Sequence, residues 1–191
     1  MKILLLLGSP RKGGNTDCLA EAVASGAEEN GAQVESIRLN GLNLKPCQGC
    51  GACDKNGICI IDDDMRSLYP KCDEVDRVIL ASPVYFYGLC AQAKIFGDRM
   101  QAQWARRYLM KERFRRDEGR KGYLIMAAAT KGTQLFDASI LTTRYIFDAM
   151  EMKYGGELTV RGVDARKAVL KDEQAMEDAK QFGRDIANGL K

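Results

Sequence analysis

The chain has 191 residues, 46% of them hydrophobic, with a formal net charge of +3; this is enough for one domain burying roughly 70% of its unfolded surface, and too little charge to imply a nucleic-acid partner. It contains no histidine. That excludes Ser-His-Asp and Cys-His catalysis, His-ligated zinc sites and Rieske centres, so demanding chemistry falls to a cofactor that the protein binds and orients.

Lys2 to Leu7 is a continuous apolar run, as in a strand buried on both faces of a parallel sheet. Its apolar part, Ile3 to Leu7, stops at Gly8-Ser9-Pro10, short of the roughly 7 residues of a signal core and the roughly 20 of a membrane span. The expectation is a cytoplasmic protein with no membrane partner and reduced thiols, in which clustered cysteines mean metal or redox chemistry. After a glycine-rich turn over Gly8 to Gly14, Thr16 to Asn30 reads as a helix capped by Asn15 or Thr16 and stopped by Gly31. Gln33 to Leu39 is a more polar strand, expected near an edge, and a cysteine loop fills Pro46 to Ile60. Asp62, Asp63 and Asp64 precede a helix over Met65 to Asp76 that Pro70 makes short or irregular. They read as helix-capping acids, since no further carboxylates cluster there to hold a hard cation.

A third strand over Arg77 to Ser82 ends at Pro83, and Ala91 to about Asp117 is expected to be largely helical. Eight basic residues (Arg106, Arg107, Lys111, Arg113, Arg115, Arg116, Arg120 and Lys121) stand against Glu112, Asp117 and Glu118; they read as a solvated helix face, or alternatively as a docking surface for an acidic redox partner or a nucleotide phosphate. Gly122 to Ala129 is a fourth strand, and Gln134 to Met152 a helix with apolar positions at Leu135, Ala138, Leu141, Tyr145, Ala149 and Met152. A fifth strand near Glu157 to Val163 and a helix over Asp172 to Leu190 complete the chain. Five strands alternating with five helices specify an α/β fold. The expected form is a flavodoxin-like three-layer sandwich over residues 1–191, with a five-stranded parallel sheet in the order 2-1-3-4-5 and a ligand where the carboxyl ends of strands 1 and 3 diverge.

Both of those ends carry unusual sequence. Gly8-Ser9-Pro10-Arg11-Lys12-Gly13-Gly14-Asn15-Thr16 is neither a Walker A loop nor a G-x-G-x-x-G fingerprint, which leaves a terminal monophosphate as its ligand. Ser9, Asn15 and Thr16 would bond the phosphate oxygens, and Arg11 would offset the charge. After strand 3, Ser82-Pro83-Val84-Tyr85-Phe86-Tyr87-Gly88 places three consecutive aromatics at a strand end, where successive side chains alternate and one or two are left to meet a flat ring.

These two loops, the continuation Lys94-Ile95-Phe96-Gly97-Asp98-Arg99, and the cysteine run ahead of Asp62-Asp63-Asp64-Met65 together resemble the iron-sulfur flavoprotein branch of the NADPH-dependent FMN reductase family, along the full chain. The resemblance implies FMN, with its phosphate at Ser9, Arg11, Asn15 and Thr16 and its ring against Pro83, Val84, Tyr85, Phe86, Tyr87 and Gly88. It also implies a homodimer or homotetramer with the flavin near a subunit interface. One stretch departs from the family pattern: after strand 4 the chain reads Ala127-Ala128-Ala129-Thr130-Lys131-Gly132-Thr133 instead of a glycine-rich loop. Thr130, Lys131 and Gly132 are expected to approach the flavin, with Lys131 stabilising a reduced, anionic ring.

Cys47, Cys50, Cys53 and Cys59 form C-x2-C-x2-C-x5-C. By spacing and resemblance they are candidate ligands of a [4Fe-4S] cluster; zinc, or reduced thiols without metal, are the alternatives. Cys18, Cys72 and Cys90 read as small apolar core residues. The expected activity is an FMN-dependent oxidoreductase or electron-transfer flavoprotein whose chemistry lies on the flavin N5, with no catalytic side chain. Its electron partners would be small molecules or proteins: NAD(P)H, a quinone or a ferredoxin-like protein. The competing readings are an NAD(P)H-dependent FMN or quinone reductase without a cluster, and a non-catalytic electron carrier.

Overall fold

The computed structural model describes residues 1–113 and 119–190. Strands β1 (Lys2–Leu7), β2 (Gln33–Arg38), β3 (Arg77–Tyr85), β4 (Gly88–Leu89), β5 (Lys121–Ala128) and β6 (Lys153–Arg161) are joined by helices α1 (Asn15–Glu29), α2 (Met65–Glu74), α3 (Ala91–Arg99), α4 (Gln101–Tyr108), α5 (Asp137–Ala149) and α6 (Glu173–Ala187). The five long strands are parallel and ordered β2-β1-β3-β5-β6. Counted by long strands alone this is the expected 2-1-3-4-5 order, and β4 is an addition that pairs antiparallel with β3.

The strand reading differs most at Pro83. The third strand does not stop there but runs on to Tyr85. Proline cannot donate to a ladder, and beyond Pro83 the strand leaves the parallel sheet to pair with β4, Val84 opposite Leu89 and Tyr85 opposite Gly88. Phe86 and Tyr87 make the turn between them, both with positive φ (49° and 61°). A two-residue hairpin turn of that shape normally takes Asn-Gly; two aromatics in the left-handed region hold it under strain.

The long helical stretch expected from Ala91 is two helices, broken at Met100, and its last residues, Asp117 among them, lie outside the described segments. The helix expected over Gln134 to Met152 is shorter; of its expected apolar positions Leu135, Ala149 and Met152 are buried, and Ala138, Leu141 and Tyr145 are not. Leu141 and Tyr145 are 57% and 70% exposed, while Ile146 and Phe147 are buried.

Two cores flank the sheet. One is built from Leu4, Leu6, Val78, Leu80, Leu124 and Met126 against α2, α3 and α5; the other from Ile3, Leu5, Ile79, Tyr123 and Ile125 against α1 and α6. Alternating strand residues thus feed opposite faces. Cys18, Cys72 and Cys90 are buried in these cores as expected. Helices α1 and α6 approach at two glycines: a Cβ on Gly26 would run into the Lys180 carbonyl, and one on Gly183 into the Val23 carbonyl.

The cysteine loop leaves the sheet after β2 and is closed at a neck. The Lys45 N–H donates to Asp63 Oδ2 (2.8 Å) and the Lys45 carbonyl accepts from Arg99 Nη1 (2.8 Å). The Asn43 N–H donates to Asp64 Oδ2 (2.7 Å), and the Asp64 N–H returns to the Asn43 carbonyl (3.2 Å). Arg99 and Asp63 form a bidentate pair (2.6 and 3.1 Å) with both side chains fully buried. The three aspartates therefore divide their work. Asp62 makes a surface pair with Arg66, Asp64 closes the neck, and Asp63 combines a cap-like bond from the Met65 N–H (3.1 Å) with the buried ion pair. Capping accounts for only part of what they do.

The basic stretch is largely committed within the chain. Arg106 pairs with Asp73, Arg107 with Asp148, and Arg113 with Glu151. Arg120 is buried and donates to the carbonyls of Cys72, Val75 and Met150. A solvated face does not describe Arg106, Arg107 and Arg120, while Arg113 stays exposed beside Glu151; Arg115, Arg116, Asp117 and Glu118 lie outside the described residues.

Two outcomes follow from this packing. Gly183→Ala should cost about 1–3 kcal/mol by overpacking the α1–α6 contact, read as a lower urea midpoint, whereas Gly41→Ala, with open space at its Cβ, should stay within about 0.5 kcal/mol. For Asp63, burial opposes ionisation, but Arg99 and the N–H groups of Lys45 and Met65 outweigh it and hold the carboxyl below its ordinary range. Its stabilisation is therefore present above about pH 4 and lost as the pH falls through the lower folded value. Asp63→Asn should flatten that acid limb of the stability profile; identical acid limbs for the two proteins in urea titrations would refute it.

Candidate functional site

At the carboxyl ends of β1, β3 and β5, a cavity of about 100 Å3 is lined by Ser9, Arg11, Gly14, Asn15, Thr16, Pro83, Val84, Tyr85, Ala127, Ala129, Val163 and Asp164. The loop expected to hold a phosphate and the first part of the aromatic segment thus meet at one place. The Gly8 N–H bonds the Ala81 carbonyl (2.8 Å), and Cys90, whose N–H donates to Ser82 Oγ (3.0 Å), reaches the Gly8 carbonyl through its thiol (3.1 Å). These bonds lock the two loops together.

The Gly8–Thr16 loop is held from below by a buried carboxylate. Asp17, in the first turn of α1, accepts from the Gly13 N–H (2.7 Å) and from Arg38 Nη2 (2.6 Å), and Arg38 Nη1 also bonds the Ser9 carbonyl (3.3 Å). Gly13 itself has φ +66°, a conformation costly for any residue with a side chain. From the other side Arg166 donates to the carbonyls of Lys12 (2.7 Å) and Gly13 (3.3 Å).

The side chain of Asn15 differs from its expected role. Its Nδ2 donates to the Val163 and Ala165 carbonyls (3.1 and 3.0 Å) and its Oδ1 accepts from the Val169 N–H (3.1 Å). Asn15 is a tie between α1 and the loop after β6. What it leaves for an anion is its backbone N–H, with those of the rest of the first turn, which have no intrahelical acceptor. Ser9 Oγ bonds the backbone of Arg11 (3.2 Å) and so shapes the loop as well as lining it.

The remaining expected residues are placed around this cavity and not in its wall. Phe86 is fully exposed at the hairpin tip, and Tyr87 and Gly88, which turn back so that Gly88 lies opposite Tyr85, are not among the lining residues. Tyr87 packs its hydroxyl over Gly132, and the Gly132 carbonyl accepts from Arg161 Nη1 (3.1 Å). The Thr130 carbonyl accepts from the Gly162 N–H (3.2 Å), and the Lys131 side chain lies along Gly162. Ala127, Ala129, Val163 and Asp164 line the cavity although the sequence reading did not assign them a site role. They sit at the ends of β5 and β6, so the fold's own rule that ligands gather at strand carboxyl ends was the available signal.

A second cavity, of about 440 Å3, is lined by Cys47, Cys50, Cys53 and Cys59 together with Asp54, Asp98 and Arg99 among others. The sequence-spaced thiols are thus brought to one wall. Gly49, Gly51 and Gly57 all have φ between 63° and 70°, which lets the chain curl around that space. Cys47 and Cys50 are exposed; Cys53 is buried, and desolvation followed by the nearby Asp54 pushes its thiol pKa up. Among the described residues no group of three or more Cys, Asp or Glu side chains is arranged to hold a metal ion. Arg99 is the sole cation among the described lining residues, and its buried Nε finds no protein acceptor. This cavity and the first share no lining residue.

Among the described residues no helix is long and apolar enough to cross a membrane. Residues 1–160 match the family described as NADPH-dependent FMN reductase. An iron-sulfur flavoprotein of Archaeoglobus fulgidus is 30% identical over 98% of this chain and 96% of its own length. A second, from the same organism, is 43% identical over 52% of this chain and 46% of its own; with relatives of this second kind the match spans about half their length. The NAD(P)H:quinone oxidoreductase of Methanothermobacter marburgensis superposes with a TM-score of 0.74 over 97% of this chain and 96% of that one, at 16% identity, a likeness of fold. The chain belongs to the NADPH-dependent FMN reductase family, in the branch of the iron-sulfur flavoproteins.

Proposed function

We propose that this chain is an FMN-dependent oxidoreductase that accepts electrons from NAD(P)H and couples FMN to a [4Fe-4S] cluster held by Cys47, Cys50, Cys53 and Cys59. One observation carries the flavin part: the Gly8–Thr16 loop and the Pro83–Tyr85 strand end, distant in sequence, line one cavity at the carboxyl ends of β1 and β3. When bound, the flavin supplies interconversion of two-electron and one-electron transfer, and the cluster carries single electrons.

The chain's own residues supply the binding. Arg11 and Thr16 offer charge and a hydroxyl to the phosphate, and the first-turn N–H groups of α1 offer donors backed by the helix dipole. Asp17, paired to Arg38, keeps the loop in that shape without presenting an uncompensated negative charge. Pro83, Val84 and Tyr85 offer a flat, largely apolar wall to the ring, and Thr130, Lys131 and Gly132 stand one loop away, with Lys131 available to a negative ring edge. No side chain need act as nucleophile.

The chemistry of the donor set at the cysteine cavity supports a cluster, although the thiols as they stand are not gathered around one ion. Four thiols, glycines that let the loop wrap and one buried guanidinium with an unused donor line the same space, and a cavity of this size suits a polynuclear core better than one tetrahedral ion. A second reading, an NAD(P)H-dependent FMN or quinone reductase without a cluster, is favoured by the exposure of Cys47 and Cys50. The carrier reading loses support, because much of the basic stretch it relied on is paired internally. A homodimer or homotetramer is also proposed, with the exposed Phe86 hairpin near its interface, and a quinone or a ferredoxin-like protein as electron acceptor.

Anaerobic purification followed by a visible spectrum and assays for iron and acid-labile sulfide tests the whole reading. We expect one flavin and about four irons per chain; flavin without iron would leave only the reductase, and a colourless protein that binds no FMN would end both. Asn15→Ala with Thr16→Ala should weaken FMN binding at least about tenfold, ~1.4 kcal/mol, through loss of the α1 tie and of the hydroxyl. Unchanged affinity in a fluorescence titration would overturn the phosphate-loop assignment.

A further inference from the structure

Arg99 occupies an unusual position. It is 1% exposed, ends α3, and lines the cysteine cavity, where the other charged lining residues described are Asp54 and Asp98. Asp98 is paired with Lys94 on the surface (2.7 Å). Arg99 is itself fixed on the side of the neck: two bonds to Asp63, one to the Lys45 carbonyl, and its own carbonyl accepting from the Tyr69 hydroxyl (2.8 Å). These bonds use three of its five N–H groups; Nε is buried and without an acceptor in the protein. A buried donor without a partner is rare in folded proteins and costs about 1–3 kcal/mol; here the residue that carries it lines the same cavity as four thiols.

We propose that Arg99 is the charge-compensating and positioning residue of the cysteine site. Its guanidinium stabilises the extra negative charge that arrives on reduction, and Asp63 limits how much of that charge the site receives. This rests on the cluster reading above. Thiolate-ligated iron-sulfur centres are anionic, and their potentials respond to net charge and to hydrogen bonds at sulfur. A fixed cation in a low-dielectric wall favours the more negative, reduced form, while a carboxylate behind it opposes that preference. Reduction adds one electron to the cluster and makes or breaks no bond at Arg99. The two residues thus act with opposite sign, which a purely structural contribution to the loop neck would not produce.

The test is a redox titration of anaerobically reconstituted protein, followed by the electron paramagnetic resonance of the reduced cluster. Arg99→Gln should lower the reduced-to-oxidised ratio at a fixed potential by about tenfold, ~59 mV for one electron. Asp63→Asn, nearly the same shape, should raise it, and Arg99→Lys, which keeps the charge and loses Nε, should fall between wild type and Arg99→Gln. Equal potentials for wild type, Arg99→Gln and Asp63→Asn, or shifts of the latter two in the same direction, would overturn the proposal while leaving the cluster in place. If Arg99→Gln takes up no iron, Asp63→Asn decides alone: a raised ratio supports the assignment and an unchanged or lowered one ends it. Wild-type protein that incorporates neither iron nor sulfide defeats the cluster reading itself, and this proposal with it.

Discussion

The buried ion pair between Arg99 and Asp63 is the contact on which the cysteine loop depends. Both side chains are fully buried, and between them they hold the N–H and the carbonyl of Lys45, so the residue before Pro46 cannot leave without exposing both charges. Replacing such a pair with well-packed apolar residues is often neutral or stabilising, but removing one partner costs about 3–5 kcal/mol because the other remains as an uncompensated charge. The loop's ends are fixed by charge, and its middle, rich in left-handed glycines, is packed on α4 through Cys53, Ala102 and Ala105.

The Gly8–Thr16 loop follows the same design with different parts. Asp17, fully buried, takes Arg38 from β2 and the Gly13 N–H; Asn15 takes the loop after β6; Arg166 takes the carbonyls of Lys12 and Gly13. The polar side chains of this segment are mostly committed to holding the backbone, so the N–H groups of the helix start are left to face a ligand. A preformed array of backbone donors binds an anion with little ordering cost at the moment of binding.

The fold was legible because its strongest signals are local. Lys2 to Leu7 reads as a strand buried on both faces, and the strand-helix alternation forces a parallel sheet. The site was legible as far as the loops at β1 and β3, since topology alone brings those ends together. What stayed hidden needed long-range partners. Nothing about Arg99 in sequence distinguishes it from a solvated helix-end arginine until Asp63 is seen beside it, and Asn15 looked like a phosphate ligand because its bonds run to a loop that joins it only in the folded chain. The apolar side of α5 was misread for a different reason: Leu141 and Tyr145 satisfy a helical period as well as Ile146 and Phe147 do, and burial is decided by which side of the helix meets Gly97 and Gly122.

The internal pairing of Arg106, Arg107 and Arg113, with the burial of Arg120, changes where electrostatics matter in this molecule. Exposed charges farther apart than about 8 Å are screened at physiological salt, whereas buried ones are screened much less. The paired residues of a stretch that looked in sequence like a broad positive surface therefore contribute little at long range. Among the better-shielded charges are the pairs beside the two cavities, Asp17 with Arg38 and Asp63 with Arg99. Each cavity thereby has one buried carboxylate–guanidinium pair beside it, in addition to the charges that line it, and salt that would dissolve a surface interaction weakens those pairs less.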